Sequence, residues 1–390
     1  MIITSSTFFT AKGEGTKEEC VADQRVALLG TGLLGGSIGL ALTDAGFEVA
    51  YGFDRDPGRT LAAVQAGACR QAAFSIAEAV CDVDVVFVAT PVSAIAETVL
   101  EAAQYVRPGT LLTDVGSVKA SVVQAVQERI PSHAFFVGGH PMAGSEQVGI
   151  DAATSCLFRD AVWVVTPTAS SNSDAVMRLY WLVNQMGASV LSLDPQAHDE
   201  SVSIVSHLAH VAAASLLSVM AERSAGTPPL FRMAASGFRD MTRIAAGSPA
   251  VWVDILYENA AAVQDALKVY IEELERFREH LDDRVVLWDL LERARETRSS
   301  LPSLLPAQDL YMVVVGVADQ AGVLADVTTA VGERGINVVD MELRHSPEGG
   351  GGLLVLTVVG SSSADLGVLC LQQRGYAAHA EPSQMQCDYE

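Results

Sequence analysis

An imidazole that titrates near neutrality can take the proton that leaves when an alcohol loses hydride. His140, in the run Gly138-Gly139-His140-Pro141-Met142-Ala143-Gly144-Ser145-Glu146, is the best candidate for that general base, and Ser117, in Asp114-Val115-Gly116-Ser117-Val118-Lys119, could orient it. Taken singly, a histidine in a glycine-proline turn also serves as a loop hydrogen-bonder, and a serine after glycine as a helix cap. A third motif, Ser206-His207-Leu208-Ala209-His210, sets two imidazoles three residues apart on one helical face. With His198 or Asp199 the pair could hold a metal. The intervening run is apolar and no cysteine or carboxylate cluster completes a set, so no metal is expected. One of these histidines is read as buried structure and the other as a substrate hydrogen-bonder. The stretch Ser236-Gly237-Phe238-Arg239-Asp240-Met241-Thr242-Arg243 offers a guanidinium fork for a carboxylate, unless Asp240 and Arg243 simply pair along a helix surface.

A second kind of chemistry belongs to Gly30-Thr31-Gly32-Leu33-Leu34-Gly35. These glycines follow a β-branched run and open a helix, so bare amides and the positive helix end can approach a pyrophosphate. Asp54 ends the next strand 22 residues after Gly32, where a carboxylate accepts from ribose hydroxyls, and this favours NAD. Arg55 could instead meet a 2′-phosphate, which the Asp54 carboxylate would repel. Thr90 and Pro91, where the run Val83 to Thr90 ends, complete the cofactor-facing set.

These residues need a frame. From Arg25 to about Leu193, short β-branched runs alternate with helical stretches, the pattern of a doubly wound α/β domain. The strands expected after the first are Glu48 to Asp54, Val83 to Thr90, Thr110 to Asp114, Ala134 to Gly138, Val162 to Thr166 and Ser189 to Leu193. Residues 194–298 read as a helical dimerisation and substrate domain. Its first helix spans Asp194 to Glu222, with Asp194 as N-cap and Pro195 first, and Ser248-Pro249 starts another stretch to about His280. Val211 to Met220 is apolar nearly all round, which calls for enclosure by neighbours or by a second subunit in a homodimer. Residues 299–307 read as a Ser/Pro linker, and 308–390 as a β-α-β-β-α-β ferredoxin-like module with glycines 349–352 as a hairpin loop.

The bulk properties narrow the partners. With Lys+Arg 25 against Asp+Glu 47, a net charge of −22, the chain lacks the basic face that nucleic acid or anionic lipid requires. The cysteines, Cys20, Cys69, Cys81, Cys156, Cys370 and Cys387, are scattered without a CxxC pair, consistent with a reducing cytoplasm. Residues 1–24 lack a signal-peptide core and read as a tail, and no apolar stretch is expected to span a bilayer.

Taken together, the motifs resemble the prephenate dehydrogenase family, in which a Rossmann-type domain joins a helical dimerisation domain and sometimes a regulatory ACT domain. The resemblance covers about residues 25 to 385. It implies that prephenate binds beside the nicotinamide, passes hydride from ring C4 to NAD and loses its ring carboxylate as carbon dioxide. It further implies that His140 accepts from the C4 hydroxyl, that Ser117 positions His140 and the nicotinamide, that Arg243 holds a substrate carboxylate and that His210 meets the pyruvyl side chain. Trp252 walls the pocket, Glu146 pairs with Arg243 when substrate is absent, and Asp240 acts across the subunit boundary. Two departures bear on substrate choice, prephenate against arogenate: Ala209 stands where the family usually has proline, and Ser236 where it often has glycine. Asp319-Gln320-Ala321-Gly322-Val323, followed by Gly335-Ile336-Asn337, resembles the ACT family of amino-acid-sensing domains. Asp319, Gly322, Val323 and Asn337 are its regulatory set, with tyrosine as the implied effector; a purely dimerising module, and for the whole chain a non-catalytic sensor, are the alternatives.

Overall fold

The computed structural model describes residues 24–144, 147–224, 232–301, 310–318, 320, 322–345 and 352–382. The chain divides into two compact units, Met1–Leu287 and Trp288–Glu390.

In the first unit, β1 (Arg25–Leu29), β2 (Glu48–Phe53), β3 (Gln71–Ala72), β4 (Val85–Val88), β5 (Leu111–Asp114), β6 (Phe135–Pro141), β7 (Val162–Thr166) and β8 (Ser189–Ser192) form one sheet. Its order is β3-β2-β1-β4-β5-β6-β7-β8. The neighbours from β3 through β6 are parallel, while β7 runs antiparallel to β6. Strands buried on both faces need apolar residues at every position. β1 meets that need: Val26 and Leu28 enter the core under α1 (Leu33–Asp44), whereas Ala27 and Leu29 enter the core on the other face. Helices α2 (Pro57–Gln65), α3 (Ile76–Val80), α4 (Val92–Ala102), α5 (Ala120–Gln127) and α6 (Ser173–Gln185) complete the two layers. The sequence placed His140 in a turn after the sixth strand. Instead β6 continues through Pro141, because Gly139, His140 and Pro141 pair with Val165, Val164 and Trp163 of β7.

The helical part begins with α7 (Pro195–Val202), a π-helical segment Ser203–Leu208 and α8 (Ala209–Ser224). Asp194 caps α7 as expected, its carboxylate accepting from the amides of Gln196 at 2.9 Å and Ala197 at 3.4 Å, with Pro195 first. The uniform helix expected here is interrupted by the wider π turn, a feature often found at functional sites. By length and composition alone, Pro195–Arg223 is apolar enough to cross a membrane. Yet it buries His198, Asp199, His207 and His210 against its own unit. After α9 (Ser236–Thr242) and a 3-10 turn, Arg243–Ala246, come α10 (Pro249–Glu258), α11 (Ala260–Glu279) and α12 (Arg284–Ser300). The single stretch expected from Ser248 to His280 breaks at Asn259, whose backbone leaves the helical region (φ −107°, ψ 27°) while its side chain turns inward.

The second unit holds β9 (Leu310–Val317), α13 (Val323–Gly332), β10 (Val338–His345), β11 (Gly352–Val359), α14 (Ser361–Gln373) and β12 (Ala378–Pro382). The β-α-β-β-α-β order is the expected one, and the sheet runs β10-β11-β9-β12 with antiparallel neighbours. Gly322 caps α13 at φ +94°, and a Cβ there would meet nothing within 4 Å. Its glycine therefore answers to the left-handed backbone and not to a close neighbour. Val323 opens α13 and Asn337 is exposed just before β10. Ser299 and Ser300, read as linker, are the last residues of α12. Asp319, Glu146, residues 1–23, linker residues 302–307 and glycines 349–351 lie outside the described residues.

Candidate active site

The residues singled out for chemistry fall in one order along the carboxyl edge of the sheet. Asp54 follows β2, Gly30 follows β1, Thr90 follows β4, Ser117 follows β5 and His140 is on the last turn of β6. Ligands of open α/β sheets bind at this edge, where the strand order reverses, here between β1 and β4.

The glycine turn has the geometry of an anion cradle. Gly30 sits at φ +96°, and a Cβ on it would lie 2.3 Å from the carbonyl oxygen of Ala89. At Gly35 a Cβ would lie 2.0 Å from the Gly30 carbonyl oxygen, so α1 packs directly on the turn. Gly32 differs: a Cβ there would meet nothing within 4 Å. It is the N-cap of α1, with no side-chain cap and no acidic residue in the first turn, so the amides near Leu33 and Leu34 face outward as a positive helix end. The Asp54 carboxylate fixes the turn by accepting from the amides of Thr31 at 3.1 Å and Asp56 at 3.0 Å, with Arg55 exposed beside it. The buried hydroxyls of Thr31 and Thr90 have no partner among the described residues, and Pro91 is the N-cap of α4. These residues fit a dinucleotide.

Beyond them, His140 Nδ1 lies 2.8 Å from His198 Nε2, and His198 Nδ1 lies 2.7 Å from Asp199 Oδ1. His198 is fully buried and Asp199 nearly so. Asp199 also accepts from the amides of Lys119 and Ala120, both at 2.8 Å, where α5 begins. Burial first, then His198, Lys119 and His207, hold the His140 imidazole well below its ordinary pKa, so it is neutral at pH 7. The spacing of motifs pointed to Ser117 as the residue that orients His140. In the structure Ser117 is half-buried and makes no hydrogen bond to His140; His198 does. Beneath the site Lys119 and Asp114, both fully buried, form an ion pair, and Asp114 accepts from the amides of Gly116 at 2.9 Å and Gly139 at 3.2 Å. Burial draws the Lys119 ammonium below its usual range while Asp114 opposes the shift.

His207 and His210 are both buried, with different partners. Asn259 Nδ2 donates to His207 Nδ1 at 3.2 Å and to the Asp199 carbonyl at 2.9 Å. Burial lowers the His207 pKa to about 4, so its single proton resides on Nε2, which has no partner among the described residues. His210 stacks on Trp252 with ring centroids 3.6 Å apart and an interplanar angle of 14°, and Trp252 meets His207 edge-on at 6.2 Å. Trp252 thus walls the two histidines. α10, which carries Trp252, docks on α4 through Ser93 and Asp254 at 2.7 Å. Arg243 opens the 3-10 turn packed against α8, the helix of His210. Ser236 and Asp240 are exposed on α9, and no hydrogen bond joins them to His140, His198 or His210 among the described residues. No group among the described residues could hold a metal.

Sequence reasoning weighed His198 and Asp199 only as metal ligands and overlooked Asn259. The available signal was a His-Asp pair one turn inside a clearly capped helix, on the same run as the two later histidines.

Three family models match the chain: "Prephenate dehydrogenase, nucleotide-binding domain" over residues 38–192, "Prephenate dehydrogenase, dimerization domain" over 194–292 and "ACT domain" over 311–369. The prephenate dehydrogenase of Bacillus subtilis is 32% identical over 361 residues, covering 90% of this chain and 96% of that protein. The cyclohexadienyl dehydrogenase of Zymomonas mobilis is 32% identical over 265 residues, 65% of this chain and 87% of that protein. Among solved structures, the Aquifex aeolicus prephenate dehydrogenase in complex with hydroxyphenyl propionate and NAD+ matches with a TM-score of 0.65 and 29% identity, covering 70% of this chain and 96% of that one. Synechocystis arogenate dehydrogenase matches with a TM-score of 0.63 and 26% identity, covering 71% of this chain and all of that one. With its glycine cradle, its neutral imidazole at the sheet edge and this agreement along nearly its whole length, the chain belongs to the prephenate dehydrogenase family of oxidoreductases.

Proposed function

We propose that this chain is an NAD-dependent prephenate dehydrogenase, converting prephenate to 4-hydroxyphenylpyruvate and carbon dioxide. The observation that carries the reading is the order along the sheet edge: a carboxylate placed for ribose, a cradle for phosphate, then a neutral imidazole farther along the same edge. NAD, when bound, supplies the nicotinamide that accepts the hydride. Asp54 and the Gly30 to Gly35 turn hold the dinucleotide, and the Asp54 carboxylate selects NAD over NADP by repelling a 2′-phosphate. His140 takes the C4 hydroxyl proton as hydride leaves. The electron pair of the ring carbon–carboxylate bond then enters the ring as carbon dioxide leaves, the former C4 hydroxyl oxygen takes back the proton from His140, and aromatisation drives the step. Arg243 holds a substrate carboxylate, His210 on its Trp252 platform meets the side chain, and Ser117 sits between nicotinamide and base. Glu146 serves as the partner of Arg243 when substrate is absent, Ser236 bears on the choice between prephenate and arogenate, and Asp240 acts across the subunit boundary of a homodimer. The ACT module senses tyrosine through Asp319, Gly322, Val323 and Asn337.

The support from relatives is specific. The Aquifex protein of the same fold was solved with NAD+ and an aromatic acid. Because a Synechocystis relative acts on arogenate, that substrate is a second arm of the test. Steady-state assays of the purified chain should cross prephenate and arogenate with NAD and NADP. The highest kcat/KM is expected for prephenate with NAD, and added tyrosine should lower it. Faster turnover of arogenate would move the assignment to that substrate, and no reduced cofactor in any arm would refute the enzymatic reading.

A further inference from the structure

We infer that His198 and Asp199 are positioning residues that fix the His140 tautomer and thereby place its lone pair on the nitrogen that faces substrate. The inference rests on the proposed role of His140 as base.

The polarity of the chain of hydrogen bonds is set at its buried end. Asp199 already accepts two backbone amides, from Lys119 and Ala120 at the start of α5, and an ionised carboxylate can only accept. The proton between Asp199 Oδ1 and His198 Nδ1, 2.7 Å apart, therefore belongs to the histidine. Carrying that one proton on Nδ1, His198 presents the lone pair of its Nε2, and the atom 2.8 Å away, His140 Nδ1, is the donor. With its one proton on Nδ1, His140 carries its lone pair on Nε2, the only ring nitrogen left to receive a substrate proton. When that proton arrives, the imidazolium at His140 already donates to His198, which donates to Asp199, so the new charge is stabilised along hydrogen bonds that end on a carboxylate. The rings cannot swing apart: His198 is fully buried on α7, its ring is set at 72° to that of His140 with centroids 5.0 Å apart, and His140 is pinned by the β6–β7 ladder.

The test has two readouts. In the full-length chain labelled with 15N-histidine and free of substrate, His140 should be protonated on Nδ1 and bare on Nε2 at pH 7.5; the opposite tautomer would overturn the inference. Two substitutions then separate relay from packing. His198→Leu removes the acceptor and should lower kcat about 100-fold or more, with KM for prephenate and affinity for NAD changed less than about threefold. His198→Gln keeps an acceptor oxygen for His140 Nδ1 and should recover at least about tenfold of that loss. A His198→Leu enzyme within about threefold of wild type in kcat, or Leu and Gln variants equally impaired, would contradict it. The tautomer is read without substrate, so a failure of the prephenate assignment leaves this result standing and distinguishable.

Discussion

At the residue scale the site depends on buried charges and neutral imidazoles held in place by particular partners. Lys119 and Asp114 are both at 0% exposure, and Asp114 ties the ends of β5 and β6 together through two further amides. Lys119→Met leaves a buried carboxylate without its cation, which costs about 3–5 kcal/mol. Denaturant titration should record that loss; a change below about 1 kcal/mol would mean that Asp114 is neutral or reached by water. His207 gives a pH signature. Its pKa is about 4 in the fold against an ordinary 6.5, with His198, His210 and Asp199 the charged or titratable groups around it. Above pH 6.5 neither the folded nor the unfolded state binds this proton. Below it only the unfolded state does, until the folded state also takes it up near pH 4, so stability falls across that window, by on the order of 3 kcal/mol. His207→Gln should flatten that part of the stability profile; an unaltered slope would place the titration elsewhere.

At the element scale the turn between β1 and α1 separates packing from binding. A Cβ at Gly35 collides with the Gly30 carbonyl, whereas one at Gly32 enters open space. Gly35→Ala should therefore lower the melting temperature and weaken NAD binding together. Gly32→Ala should leave the melting temperature nearly unchanged yet raise the Kd for NAD at least about tenfold, because the methyl occupies the phosphate's place. Calorimetric titration and thermal unfolding of both variants check this. These glycines were legible because strand, turn, helix and acid follow one another closely in sequence, as do the Asp194-Pro195 helix start and the β-α-β-β-α-β order of the second unit. What was not legible depends on distant pairing. β7 joins β6 antiparallel and carries His140 into a strand, and Asn259, 60 residues from Asp199, breaks a helix to reach it. The His140–His198 contact likewise spans 58 positions, so local spacing offered only Ser117 as the orienting neighbour.

At the scale of the whole molecule, the helical run from Pro195 to Arg223 buries its histidines inward and leaves Ile204, Val205 and Val219 exposed at 61%, 68% and 57%. This apolar surface lies on the segment that matches a dimerization domain, and it is the surface that the proposed homodimer would cover. Sedimentation should give twice the chain mass of 41.1 kDa, and Val219→Arg should shift it toward one; a wild-type monomer would contradict the homodimer. Turnover by the assembled protein draws every scale together, because the cradle, the edge order and the imidazole chain matter only if His140 receives the substrate proton. The most direct measurement is kcat of His140→Asn with saturating prephenate and NAD. It should fall about 10²- to 10⁴-fold while KM stays within a few-fold, since a base acts in the transition state more than in binding. An unchanged kcat would remove His140 from the chemistry and with it the mechanism proposed for this chain.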